Sequence, residues 1–130
     1  MIVYVDTSVV AKTLIAEPGS DAVVAALDGY MEHGRLLSSS IVITELHRAA
    51  ARAGLESAPT WSAIRRLSLV RLNDELLIAA GQIPGPSLRS LDAIHIASAI
   101  SIDAEVFVTA DARQAAAAVD AGFDVVDRFD

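Results

Sequence analysis

Asp6, Glu45, Asp92 and Asp111 are carboxylates set inside or directly against apolar segments. Asp6 ends the run Ile2-Val3-Tyr4-Val5, and Glu45 stands between Ile41-Val42-Ile43-Thr44 and Leu46. Asp92 interrupts Leu91-Asp92-Ala93-Ile94-His95-Ile96-Ala97, and Asp111 follows Val106-Phe107-Val108-Thr109-Ala110. Carboxylates are almost never fully buried unless they are paired, hydrogen-bonded or bound to a cation. Two such charges about 4 Å apart repel by roughly 4 kcal/mol at an effective dielectric of about 20. A cluster of four must therefore take up protons or bind a cation. An all-oxygen set without His or Cys favours a hard ion, Mg²⁺ with Mn²⁺ as a substitute, over Zn²⁺. Mg²⁺ keeps several waters and takes up a phosphate oxygen, the chemistry of phosphodiester hydrolysis by metal-activated water.

The elements around these acids can bring them together. Ile2–Val5 reads as a short buried strand, and Asp6-Thr7-Ser8 offers capping side chains for a helix over 9–16. Helices follow over 21–31, over 41–53 with Ser40 as its cap, from Thr60 onward, and over 74–80. Short strands are expected at 36–38 and 70–72. Ile83-Pro84-Gly85-Pro86 is the clearest loop. Ser90 then caps a central helix through Ile102, apolar nearly all round. A strand over 105–109, a helix over 112–121 and a last strand over 124–126 complete the chain. This alternation predicts an α/β fold: a three-layer α/β/α sandwich around a mainly parallel sheet of four to five short strands. Ligands of such sheets bind at the carboxyl ends of strands. Asp6 and Asp111 lie just after strands, Asp92 in the first turn of the central helix, and Glu45 about one turn into its helix.

The 130 residues, 53% of them hydrophobic, suit a single domain with an aliphatic core. There is no cysteine, which excludes disulfides and thiolate metal sites and fits a cytoplasmic setting. The first apolar run lasts only four residues before Asp6, so no signal peptide or membrane span is expected. The net charge of −7 opposes nucleic-acid binding in general. Two features offset this: four of the acids can face a cation, and Arg48, Arg52, Arg65, Arg66 and Arg71 concentrate in the middle third.

Each acid also has a purely structural role open to it. Asp6 can cap a turn, Asp92 can sit favourably at a helix N-terminus, Asp111 with Gln114 resembles a capping box, and Glu45 can face solvent. Thr7, Ser8 and Thr109 can orient carboxylates or cap turns, and His95 reads first as a hydrogen-bonded structural histidine. Two other phosphate chemistries fail on composition. A receiver-type site needs a lysine late in the chain, and Lys12 is the only one. A dehalogenase-type phosphatase needs an Asp two residues after the first, where Ser8 stands.

Taken together, Val5-Asp6-Thr7-Ser8, the Ser40-to-Glu45 segment, Leu91-Asp92-Ala93-Ile94-His95-Ile96-Ala97 and Val108-Thr109-Ala110-Asp111 resemble PIN-domain ribonucleases. They are most similar to the VapC toxins of toxin–antitoxin pairs. The resemblance covers essentially the whole chain. It implies Mg²⁺-dependent RNA cleavage, a VapB-like antitoxin, a homodimer and no membrane. It puts the catalytic acids at Asp6, Glu45, Asp92 and Asp111. Of these, Asp6, Asp92 and Asp111 would be metal ligands, and Glu45 would hold a metal-bound water or act as a base. Arg113 stands where some relatives carry a further acid, leaving one ion or two as alternatives. The other reading of the same resemblance is a catalytically silent PIN-type interaction module, which would be expected to have lost one of the four acids.

Overall fold

The computed structural model describes residues 1–129. The described chain runs β1 (Ile2–Val5), α1 (Thr7–Leu14), α2 (Ser20–His33), β2 (Arg35–Ser39), α3 (Val42–Arg52), α4 (Ser57–Arg65), β3 (Ser68–Val70), α5 (Asp74–Gly81), α6 (Ser90–Ser101), β4 (Val106–Val108), α7 (Ala112–Asp120) and β5 (Asp124–Val126). The strands form one sheet in the order β3-β2-β1-β4-β5, and every pairing is parallel.

Side-chain alternation divides the sheet into two faces. Val3 and Val5 of β1 and Val108 of β4 pack with Val9, Val10, Val23, Leu27, Val42, Leu46 and Ile64, which places α1 to α4 on one face. Tyr4 and Phe107, which alternate with them, pack with Ile96, Ala99 and Ala118 of α6 and α7 on the other. Helix α5 joins that second layer through Leu76 and Ala80 against Ala93 and Ala97. The result is the expected three-layer sandwich, with a sheet that is wholly rather than mainly parallel. The close fit of α2 to the sheet needs Gly34, because a Cβ there would collide with the Met1 carbonyl oxygen.

Several boundaries differ from the sequence expectation for identifiable reasons. Helix α4 starts at Ser57, ahead of Thr60, which is buried inside it. Pro59 does not prevent this, because the first four N–H groups of a helix have no intrahelical partner to lose. Strand β3 is Ser68–Val70 and not 70–72, because pairing Leu37 with Ser68 and Ser39 with Val70 sets its register. Leu72 instead packs against the α5–α6 cluster. Neither Ser40 nor Ser90 caps its helix: the N-cap positions are Ile41 and Arg89, without side-chain caps. Helix α6 is largely buried as expected, although Leu91 and Ile100 are exposed.

Candidate active site at the strand-order reversal

The chain enters the sheet at its centre with β1, builds outward through β2 and β3, then crosses over to β4 and β5. Strand order reverses between β1 and β4, and in open parallel sheets the crevice beyond the carboxyl ends at that point is where ligands bind. Asp6 follows β1 directly, and Thr109-Ala110-Asp111 follows β4. Helices α3 and α6 bring Glu45 and Asp92 to the same edge. One cleft of about 130 Å³ is lined by Asp6, Thr7, Ser8, Glu45, Asp92, His95 and Asp111. Larger recesses, of about 280 and 310 Å³, lie along α5 and α6. They gather mostly apolar side chains, so cavity size and site chemistry separate here.

Asp6 is only 3% exposed and anchors the cleft floor. Its Oδ1 accepts from Ser8 Oγ at 2.6 Å and from the Val9 amide at 3.4 Å, and its Oδ2 accepts from Thr109 Oγ1. It caps α1 and lines the cleft at once. Burial pushes its carboxyl above the ordinary range, against the lowering pull of His95, Ser8, Thr109 and the Val9 amide. Ser8 is itself fixed by the Ala110 amide, which donates to Oγ at 2.9 Å and ties the first turn of α1 to the β4 exit.

Asp111 caps α7, its Oδ1 accepting from the Arg113 and Gln114 amides at 2.8 and 3.1 Å. The reciprocal half of a capping box is absent: Gln114 Nε2 donates to the Asp92 carbonyl at 3.2 Å. That contact ties α7 to the first turn of α6. The Asp92 carboxyl is raised first by burial and then by the charge of Asp111, partly offset by the Arg89 amide, His95 and Arg113. Like charges across the cleft are thus held at a cost that a cation would relieve.

Glu45 is the exception among the perturbed acids. Burial acts to raise it, but the hydrogen bond and charge of His95 and the Thr7 hydroxyl together hold it below the ordinary range. His95 Nε2 and Thr7 Oγ1 each lie 2.7 Å from Glu45 Oε1. On the other side of the ring, Nδ1 lies 2.7 Å from the Tyr4 hydroxyl. Tyr4 is the participant that sequence reasoning passes over, because its ring belongs to an apolar strand. A buried tyrosine hydroxyl nevertheless needs a partner, and that requirement is the available signal.

Among the described residues, no three His, Asp or Glu side chains are placed to hold one ion. Joint ligation by Asp6, Asp92 and Asp111 is therefore not preformed. The oxygen donors still fit Mg²⁺ or Mn²⁺, because such ions keep most of their waters and need only one or two carboxylates from the protein. The raised Asp6 and Asp92 are the groups a bound cation would stabilise most.

A family model described as the PIN domain matches residues 3–120. The chain belongs to the PIN-domain family. Ribonuclease VapC46 of Mycobacterium tuberculosis is 35% identical over 130 residues, with 95% of each chain covered. Ribonuclease VapC47 of the same species is 34% identical over 127 residues, covering 93% of each. Ribonuclease VapC35, also from that species, is 36% identical over 98 residues, 75% of this chain and 72% of the relative. Among solved structures, the crystal structure of VapBC2 from Rickettsia felis bound to a DNA fragment from their promoter superposes with a TM-score of 0.69, covering 98% of both chains. Its sequence identity is 15%, so this likeness is one of fold. The PIN domain here thus carries its acids on four elements that meet where strand order reverses.

Proposed function

We propose that this PIN-domain protein is a Mg²⁺-dependent endoribonuclease acting as the toxin of a toxin–antitoxin pair. The observation that carries the reading is the convergence of Asp6, Glu45, Asp92 and Asp111 on one cleft at the sheet's carboxyl edge. The VapC ribonucleases among its relatives supply the substrate class. Asp6 and Asp92 would hold the cation, with Asp111 beside them. A bound divalent ion would supply charge stabilisation at the phosphate and a nucleophilic water at neutral pH. Ser8 and Thr109 hold the Asp6 carboxylate in place. Glu45, kept ionised by its neighbours, is the proton acceptor or water-orienting group. Retention of all four acids disfavours a silent interaction module.

The purified protein should cleave RNA in Mg²⁺ or Mn²⁺ and lose at least about 100-fold of its rate in excess EDTA, since metal chemistry of this kind supplies several kcal/mol. Full cleavage under chelation would refute the assignment.

The likeness to VapBC2 supports a VapB-like antitoxin as partner, and for such a co-produced pair acting on RNA we propose a cytoplasmic location. No helix among the described residues is long and apolar enough to cross a membrane.

We also propose a homodimer. On α2 and α4, Val23, Leu27 and Ile64 are buried inside the chain. Met31 and Trp61 remain exposed. Arg66 joins the two helices, donating to Asp28 Oδ1 at 3.0 Å. Pairing there would bring arginines of two chains together for RNA. Light scattering at micromolar concentration should report twice the chain mass. A monomer with full activity would overturn the proposal.

A further inference from the structure

We propose that Tyr4 and His95 are positioning residues that lock the Glu45 carboxylate in its working orientation, an inference that rests on the ribonuclease reading above. The residues concerned come from β1, α3 and α6 and form one continuous contact chain. Tyr4 and His95 are 0% and 2% exposed, so neither polar group can turn to water. A phenol holds its proton at neutral pH, so the Tyr4 hydroxyl is available both to donate and to accept. Its ring is fixed by stacking on Phe107 at 5.1 Å between centroids.

A carboxylate only accepts hydrogen bonds, so His95 Nε2 must carry the hydrogen that meets Glu45 Oε1. Nδ1 pairs with the Tyr4 hydroxyl, accepting from it in the neutral ring and donating to its oxygen in the charged ring, so the imidazole is held from both sides in either state. Thr7 adds a second donor to the same Glu45 oxygen. Oε1 is thereby held by two donors, and no hydrogen bond to Oε2 occurs among the described residues. The arrangement assigns Oε1 to anchoring and leaves Oε2 for chemistry in the cleft.

The test uses substitutions that separate the two ring nitrogens. A Gln amide at position 95 reaches where Nε2 sits, and an Asn amide where Nδ1 sits. Cleavage of a fluorescent oligoribonucleotide in Mg²⁺ is followed at varied substrate. His95→Asn should lower kcat by about 10- to 100-fold with KM little changed, as expected for groups that orient active-site side chains. His95→Gln should recover most of the loss. Tyr4→Phe keeps the ring on Phe107 and should lower kcat several-fold, so it carries the test if His95→Asn fails to fold. In a Glu45→Gln background, His95→Asn should cost little more, because the two residues act as one unit. Wild-type kcat in His95→Asn or Tyr4→Phe overturns the inference while leaving the ribonuclease reading intact. So do equal losses in the Asn and Gln variants, or losses that multiply with Glu45→Gln. A wild-type protein inert toward RNA in Mg²⁺ and Mn²⁺ overturns both.

Discussion

Asp6→Asn and Asp92→Asn are each expected to lower RNA cleavage by about 1,000-fold or more while leaving the metal-free protein as stable as the parent or more so. The rate loss follows from removing a cation-holding charge, an effect of several kcal/mol at about 1.4 kcal/mol per tenfold. The stability result follows from the raised pKa of both groups. A carboxyl whose folded pKa exceeds its unfolded value, about 3.9 for Asp, binds more protons in the native state between those two values. Its contribution to stability is fully present below the unfolded pKa and is lost as pH rises through the folded one. Asn does not titrate, so the advantage of each variant should be absent in acid and grow as pH rises. The hydrogen bonds survive the change at position 6. An Asn Oδ1 still accepts from Ser8 and the Val9 amide, and the Thr109 hydroxyl can rotate to accept from the new amide. Glu45→Gln should behave oppositely, because the folded pKa of Glu45 is lowered. Its stabilisation is present above the unfolded value and lost as pH falls through the folded one, so the Gln variant should be weaker at neutral pH. Urea unfolding in excess chelator across a pH series measures all three. A marked loss of stability in Asp6→Asn or Asp92→Asn at neutral pH would make that residue chiefly structural.

What the sequence discloses here depends on the range of the interaction. The four acids are legible because a carboxylate inside an apolar run is costly wherever the chain goes. Their meeting place is legible because Asp6 and Asp111 follow strands, and parallel sheets use that edge. The reversal between β1 and β4 is not legible, since strand order depends on crossovers and not on any one segment. Strand β3 is misplaced by two residues for a similar reason: Val70-Arg71-Leu72 alternates well on its own, but pairing with β2 selects Ser68–Val70. The Tyr4–His95 contact spans 91 residues, and no local pattern announces it. His95 reads as a hydrogen-bonded structural histidine, and the hydrogen bonds are found, yet one of its partners is Glu45, proposed above as the proton acceptor or water-orienting group.

An antitoxin that inhibits this protein is expected to place an Arg or Lys side chain among Asp6, Glu45, Asp92 and Asp111. A cleft that favours a cation through its raised carboxyls also favours a guanidinium, whose fork matches carboxylates in a bidentate way. The same sheet edge offers the anchorage that such a segment needs. A recess of about 550 Å³ lined by Ser40, Ile43, Leu69, Arg71 and Leu72 lies where β2 and β3 end. Helix α3 contributes Ile43 to that recess and Glu45 to the cleft, so a chain seated on one can reach the other. If the basic side chain and Mg²⁺ exclude each other, apparent inhibitor affinity must fall in proportion to Mg²⁺ once the ion is above its dissociation constant. A hundredfold excess then weakens inhibition by about 100-fold. Titrating the inhibited complex with Mg²⁺ while following cleavage reads this directly, and replacing the antitoxin's basic residue with Met should abolish the Mg²⁺ dependence along with most of the inhibition. Inhibition indifferent to both changes would leave steric blocking of RNA as the mechanism, with the acidic cleft serving catalysis alone.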